Sequence, residues 1–294
     1  MILKILVLGI TGMLGSAVFY TFNQQQKDFE VWGTLRSKEG LKYFPSAFHP
    51  YLISDVDVLN LDTLCRVLEQ VRPNVVINCI GLIKQLSSAK DPLSALPINA
   101  MLPHQLARLC QLAGARLIHI STDCVFSGKK GFYTENDNSD AEDLYGKSKF
   151  IGEITESSHA ITLRTSIIGH EFNSKTALVE WFLSQQLSVK GYVNAIFSGL
   201  PTFELARVMR DYVIPKPELW GLYQVAATPI NKYELLSLIA EIYKKKISIV
   251  ADEEIRVDRS LNGERFKNAT GYVAPDWSQL IALMYESKNL YEDK

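Results

Sequence analysis

The strongest constraint on the fold lies near the N-terminus, where a glycine-rich turn is caught between an apolar run and a helical stretch. Ile2 to Leu8 is apolar except for Lys4, the length and character of a buried parallel strand. Gly9-Ile10-Thr11-Gly12-Met13-Leu14-Gly15 follows, and Ser16 to Asn23 reads as a helix. A strand that turns into a helix this tightly leaves the first backbone N–H groups of the helix free to hold an anion, and glycine keeps side chains out of the approach. The spacing G-x-x-G-x-x-G is a variant of the dinucleotide fingerprint, and the flanking strand and helix give it weight. Gly9, Thr11, Gly12, Met13, Leu14 and Gly15 are therefore the expected cradle of a cofactor pyrophosphate.

The next segments extend the same pattern. Glu30 to Leu35 reads as a second strand. A site selective for NAD would carry Asp or Glu near its end to bind the ribose hydroxyls. Here Arg36-Ser37-Lys38 follows, and a cation beside a hydroxyl suits a 2′-phosphate. NADPH is the expected cofactor, with NADH as the alternative. Asp57-Val58, just before a helical stretch from Leu61 to Val71, is placed to cap an adenine; an ordinary helix-start aspartate is the competing reading. Asn74 to Cys79 reads as a strand, and Cys79-Ile80-Gly81 leaves it where a nicotinamide would pass, Gly81 permitting close approach. Asn99 to Ala113 reads as a helix, preceded by Pro97 and stopped by Gly114, and Leu117 to Ser121 as another strand. Such alternation calls for an α/β, Rossmann-type, doubly wound parallel sheet with right-handed crossovers.

Chemistry enters at Leu144-Tyr145-Gly146-Lys147-Ser148-Lys149. Tyr145 and Lys149 are one helical turn apart, so their heads share a face. Alone, this is a solvent-exposed pair; a catalytic reading requires a nucleotide site upstream, a hydroxyl donor near the tyrosine and a substrate pocket. The rest of the composition narrows the field. A formal net charge of −1 argues against a chain-wide nucleic-acid footprint. No apolar run approaches the ~20 residues needed to span a bilayer. Cys65, Cys79, Cys110 and Cys124 form no Cys-x-x-Cys pair, which fits reduced thiols and a cytoplasmic protein. The histidines do not cluster with cysteines or carboxylates as metal ligands would. His104 and His119 read as packing residues.

Gly9/Gly12/Gly15, Asn99, Ser121-Thr122-Asp123-x-Val125-Phe126 and Tyr145-x-x-x-Lys149 together resemble the extended short-chain dehydrogenase/reductase family, and more narrowly its dTDP-4-dehydrorhamnose reductase branch. Arg72-Pro73-Asn74 through Asn78, Gly152-Glu153, and Gly199-Leu-Pro201-Thr202 with Glu204-Leu-Ala206 are similar to that branch too. The resemblance covers nearly the whole chain. It implies Tyr145 as general acid, Lys149 as the cation that stabilises the phenolate and holds the nicotinamide ribose, and Thr122 as the hydroxyl that positions a ketone oxygen. It implies a water-relay or structural role for Asn99. Two departures stand out. Cys124 replaces a tyrosine common in the branch and reads as a small buried filler. Ile167-Ile168-Gly169-His170-Glu171 replaces an aromatic-rich stretch.

Residues 1–165 are expected to form the cofactor domain and 166–294 a smaller substrate region, with segments that can return to the first. Thr176 to Gln186, Glu204 to Tyr212 behind an N-cap at Thr202, Asn231 to Tyr243 and Ser278 to Tyr285 read as helices. Lys190 to Gly199 reads as loop and short strand, and Leu222 to Ala226 and Ile247 to Val250 as short strands. Thr122, Asp123 and Tyr145 are expected at the sugar, with His170 and Glu171 as candidates for its pocket or a surface turn, Lys190, Tyr192 and Asn194 for diphosphate and sugar contacts, and Arg259 for the substrate diphosphate or a structural salt bridge. The expected activity is NADPH-dependent reduction of the C4 ketone of a nucleotide-activated 4-keto-6-deoxy sugar for surface polysaccharide. UDP-linked N-acetylated 6-deoxyhexulose is favoured, with dTDP-4-dehydrorhamnose second. The rivals are a non-catalytic subunit of the same fold and an epimerase or dehydratase. A homodimer is left open.

Overall fold

The computed structural model describes residues 2–25, 27–84, 87–172 and 176–291. The first half consists of β1 (Leu3–Leu8), α1 (Met13–Asn23), β2 (Phe29–Thr34), β3 (Leu52–Ile53), α2 (Leu61–Val71), β4 (Val75–Asn78), α3 (Pro92–Ala95), α4 (Leu102–Ala113), β5 (Arg116–Thr122), α5 (Leu144–Ile151) and β6 (Ala160–Thr165). The second half adds β7 (Ile167–Ile168), α6 (Leu178–Ser184), β8 (Ser188–Phe197), β9 (Leu200–Pro201), α7 (Thr202–Val208), β10 (Gly221–Gln224), β11 (Ile230–Asn231), α8 (Lys232–Ile242), β12 (Ser248–Asp258), α9 (Glu264–Thr270) and α10 (Trp277–Glu286).

Seven strands form an all-parallel sheet in the order β10-β6-β5-β4-β1-β2-β3. Its central strands are apolar on both faces, because one core lies under α1, α7 and α10 and another under α2 and α4. The winding reverses between β1 and β4, and ligands of such sheets bind at the carboxyl ends of the strands flanking that point. Gly9 and Cys79 leave the sheet there.

Three readings of local structure change. The helix expected from Asn99 opens at Pro92, capped by Asp91, which accepts the Leu93 N–H at 3.1 Å. It runs through Pro97 by way of a π turn, Leu96–Met101, whose wider winding absorbs the donor that proline lacks. Pro201, not Thr202, caps α7, and Thr202 is its first helical residue. Lys190 to Gly199 and Ile247 to Val250, read as loop and short strands, belong to two long strands, whereas Leu222 to Ala226 holds the short β10. β8 and β12 run parallel to each other, with a bulge between Asp252 and Arg256, and β11 adds antiparallel to β8. The two halves interlock: β10 pairs with β6 at the edge of the main sheet, and α7 packs on α1.

Candidate active site

The cofactor end is built from close backbone approaches. Gly9 has a φ of +81°, open to glycine at little cost, and the Gly12 N–H donates to Gly9 O at 3.1 Å to close the turn. A Cβ on Gly15 would sit 2.1 Å from Gly9 O, so only glycine lets α1 start this close to β1. Gly12 caps α1 without a side-chain hydrogen bond, and the first turn carries no acidic residue. The cradle of Gly9, Thr11, Gly12, Met13, Leu14 and Gly15 thus presents backbone donors that suit a pyrophosphate. Arg36 and Ser37 follow β2 after buried Leu35; both are exposed, and Arg36 makes no hydrogen bond or ion pair with the described residues. Asp57 does not cap α2. Asn60 does, by accepting the Thr63 N–H at 3.1 Å, while Asp57 accepts the Leu59 N–H at 3.0 Å beside half-buried Val58.

Two asparagines hold the strand exit that carries Cys79, Ile80 and Gly81. Asn78 accepts the Ile80 N–H at 3.1 Å and lies 3.2 Å from Nδ1 of fully buried His119. Asn99, turned inward by the π turn, accepts the Leu82 N–H at 2.9 Å and donates to Leu82 O at 3.2 Å and to Ser148 Oγ at 3.3 Å. Asn99 therefore ties the strand exit to α5. A Cβ on Gly81 would lie 3.4 Å from Asn99 Oδ1 and 3.9 Å from Lys149 Nζ, so the glycine leaves open the space between that loop and the lysine.

Tyr145 and Lys149 share one turn of α5, and the fold brings Thr122, distant in sequence, to the phenol. Asp143 caps α5 by accepting the Gly146 N–H at 2.8 Å. Cβ atoms at Gly146 and Gly152 would fall 2.2 Å from Cys124 O and 2.0 Å from Asn99 O, so Gly146 lets α5 lie directly on the exit of β5 and Gly152 lets its end lie on the π turn. Burial pushes the Tyr145 phenol up, opposed by a hydrogen bond with Thr122. The Thr122 hydroxyl donates to Asp123 Oδ1 at 3.1 Å and accepts the Cys124 N–H at 3.1 Å. Lys149 is buried and donates to Ile120 O at 2.7 Å; burial pulls its ammonium down to about 8 against the pull of Glu153. Glu153 is itself locked, accepting from Ser121 Oγ at 2.6 Å and from Arg164 at 2.8 and 2.6 Å, in a fully buried ion pair behind β5.

The substrate side departs further from expectation. Asp123 is buried beside Thr122, and burial raises its carboxyl while Arg259 opposes the rise. Arg259 comes to this spot because the segment after β12 is strapped to the loop after β5. Asp258 N–H donates to Gly128 O at 2.8 Å, Arg259 Nε to Phe126 O at 2.8 Å and Tyr133 N–H to Ser260 O at 2.9 Å. His170 does not line a sugar pocket. Its Nδ1 lies 2.5 Å from Glu180 and its Nε2 2.8 Å from the Tyr243 hydroxyl, and the ring is 2% exposed, so both nitrogens serve the core between α6 and α8. Lys190 is an exposed residue of β8, ion-paired to Asp252 at 2.8 Å and Glu254 at 3.6 Å. Lys190 lies about 23 Å of extended strand before Phe197, and Tyr192 lies about 16 Å before Phe197, so both are remote from the Phe197 end of β8. Among the residues missed in the sequence, Glu153 lies within reach as a neighbour of Lys149. Lys232, the first residue of α8, carries no local signal: it reads as the polar start of an amphipathic helix, yet its ammonium senses the charge of Asp123.

A profile described as the RmlD substrate binding domain matches residues 3–288. The chain is 28% identical over 253 residues to methionine adenosyltransferase 2 subunit beta of Danio rerio, covering 82% of this chain and 74% of that protein. It is 27% identical over 206 residues to a dTDP-4-dehydrorhamnose reductase of Aggregatibacter actinomycetemcomitans, covering 66% and 70%. In fold it is similar to the crystal structure of a dTDP-4-dehydrorhamnose reductase from Bacillus anthracis in complex with NADP, with a TM-score of 0.79 and 21% identity over 98% of this chain and 100% of that one.

Proposed function

The chain belongs to the RmlD substrate-binding domain family, and from that premise we propose that it is an NADPH-dependent reductase of the C4 ketone of a UDP- or dTDP-linked 4-keto-6-deoxy sugar. The observation that carries this reading is the convergence of Thr122, Tyr145 and Lys149 at the exit of β5, beside the glycine turn and the strand exit held by Asn99. When bound, the cofactor supplies the reducing equivalents for the carbonyl carbon. Tyr145 supplies the proton to the carbonyl oxygen. Its phenol is a poor acid in this buried setting, so the Lys149 ammonium has to stabilise the phenolate that forms. Thr122 orients the oxygen and passes its own hydrogen bond from Asp123 to the substrate. Arg36 and Ser37 take the 2′-phosphate.

The test is NADPH oxidation with a panel of UDP- and dTDP-linked 4-keto sugars. Tyr145→Phe is expected to lose about 100- to 10,000-fold in kcat, the usual contribution of a positioned acid. Retention of most activity in that variant refutes the acid role. A second reading, a subunit that serves a partner enzyme, is favoured by the similarity to a methionine adenosyltransferase subunit over 82% of the chain. Absence of oxidation across the whole panel would favour it.

A further inference from the structure

His119 reads in the sequence as a packing residue, yet its ring is a costly way to fill space. It lies in β5 between Ile118 and Ile120, 0% exposed, and its Nε2 has no hydrogen-bond partner among the described residues. Burial holds the ring well below the ordinary histidine pKa, and the charges of Lys149 and His104 push the same way, so the ring is neutral and carries one hydrogen. Its neighbours decide where that hydrogen sits. Asn78 and His119 are register partners across β4 and β5, so their side chains share a face of the sheet. A backbone N–H can only donate, so the Asn78 atom 3.1 Å from the Ile80 N–H is the amide oxygen. The amide nitrogen then faces His119 Nδ1 at 3.2 Å. Two donors cannot share a hydrogen bond, so Nδ1 is the acceptor and the hydrogen is on Nε2, the nitrogen left unpaired. A buried donor without an acceptor costs stability, and an apolar residue in β5 would avoid that cost. What the ring adds over an apolar residue is a single acceptor, aimed at Asn78.

We propose that His119 is a positioning residue for the cofactor: by accepting from Asn78 it fixes which way that amide faces, and so holds Ile80 and Gly81 where the nicotinamide half passes. The proposal rests on the reductase reading only for the identity of that ligand. The chain of contacts is short. The Ile80 N–H is held by the Asn78 oxygen, and a Cβ on Gly9 would lie 2.7 Å from Ile80 Cγ1, so the Ile80 side chain packs directly on the glycine turn. Asn99 holds the other end of the exit, at the Leu82 N–H and O, with bonds of 2.9 and 3.2 Å. Gly81 lies between these two pins, and a Cβ there would come 3.9 Å from Lys149 Nζ. Without an acceptor at His119 the Asn78 amide is free to turn over. Its nitrogen would then meet the Ile80 N–H donor to donor, and the strand exit would keep only its far pin. A wall displaced by a fraction of an ångström at this place is displaced against both the glycine turn and the lysine.

A pair of substitutions separates the acceptor from the packing. Asn and Leu have the same branched outline, and an Asn Oδ1 occupies the position of a His Nδ1. His119→Asn and His119→Leu therefore empty the same ring volume and differ in the acceptor. Nuclear magnetic resonance of the cofactor-free protein supplies the first two readouts. The ring nitrogen shifts of wild type are expected to show Nδ1 bare and Nε2 protonated at neutral pH. Hydrogen exchange at the Ile80 amide is expected to quicken about 3- to 10-fold in His119→Leu and to stay within about twofold of wild type in His119→Asn. Fluorescence titration with NADPH is the third: the Kd should rise about 3- to 10-fold in His119→Leu and stay near wild type in His119→Asn. A packing role alone predicts the reverse order, because Asn brings unpaired amide hydrogens into the core and Leu brings none. Wild-type NADPH affinity in His119→Leu overturns the proposal, as does unaltered exchange at Ile80. A wild-type ring with its hydrogen on Nδ1 overturns it whatever the variants do. If His119→Leu does not fold, His119→Phe, a ring without an acceptor, is held to the same outcomes. Faster Ile80 exchange in His119→Leu, with no NADPH bound by wild type, upholds the pin and removes the cofactor reading.

Discussion

Lys149 should destabilise the cofactor-free fold that it serves. Its ammonium is buried and falls from the ordinary 10.5 to about 8 because burial outweighs the attraction of Glu153. That gap corresponds to about 3 kcal/mol of folding free energy. The sign follows from where the proton sits. Below pH ~8 both folded and unfolded chains hold it, and the fold carries the whole cost of a buried charge. Between ~8 and ~10.5 the unfolded chain still holds the proton that the fold has released, so stability from this group rises with pH. About 2 of the 3 kcal/mol is recovered by pH ~9.5.

The perturbation is Lys149→Met, which keeps the stem and removes the charge. It also removes the 2.7 Å bond to Ile120 O, worth about 1–3 kcal/mol once that carbonyl is left unpaired. The absolute gain at pH 7 is therefore small, and the informative quantity is how the difference between variant and wild type changes with pH. Cys110 and Cys124, pushed up to about 12 by burial, act in the opposite direction over the same range, but they are present in both proteins and cancel. Urea unfolding of the cofactor-free proteins, followed by tryptophan fluorescence at a series of pH values, measures the difference. The advantage of Lys149→Met should shrink by about 2 kcal/mol between pH ~7 and ~9.5. A difference that stays flat, or grows, refutes the claim that Lys149 is held as a strained buried cation.

Two further substitutions separate the parts of the cofactor site. Gly81→Ala meets only side-chain atoms, at 3.4 and 3.9 Å, so it should fold normally while weakening NADPH binding about tenfold, the cost of filling space a ligand needs. Wild-type NADPH affinity by fluorescence titration would place the nicotinamide elsewhere. Arg36→Ala, at an exposed side chain without partners among the described residues, should change stability by less than ~0.5 kcal/mol and raise the KM for NADPH about tenfold while leaving that for NADH unchanged. An equal loss for both cofactors would detach Arg36 from the 2′-phosphate.

The readable parts of this chain are those whose cause is local. α2 begins and ends at Leu61 and Val71 as its apolar spacing and the turn at Arg72 dictate. The Gly114 stop of α4 is a left-handed cap, written in one residue. The Tyr145–Lys149 pair is a single turn of α5, so its shared face needs no tertiary information. The π turn at Leu96–Met101 was hidden because proline there normally marks a helix start, and only the inward pull of Asn99 on Leu82 shows why the helix continues. β12 was hidden for another reason: most of its residues are exposed, so no apolar alternation betrays a strand, and its extent is fixed by pairing with β8.

The substrate end fails to be legible for a stronger reason than weak patterning. The surroundings of Asp123 draw on the Phe126–Tyr133 loop and on Arg259 strapped to it, segments far apart in sequence. The stretch that looked most unusual, around His170, is spent on joining α6 to α8, and Lys190 is spent on Asp252 and Glu254 at an outer sheet. A departure from a family pattern at those positions therefore carries information about packing, not about the sugar. Arg259, strapped to Phe126 O at 2.8 Å, shows the same rule from the other side: an ordinary-looking residue comes to the neighbourhood of Asp123 by tertiary pairing that no local pattern encodes.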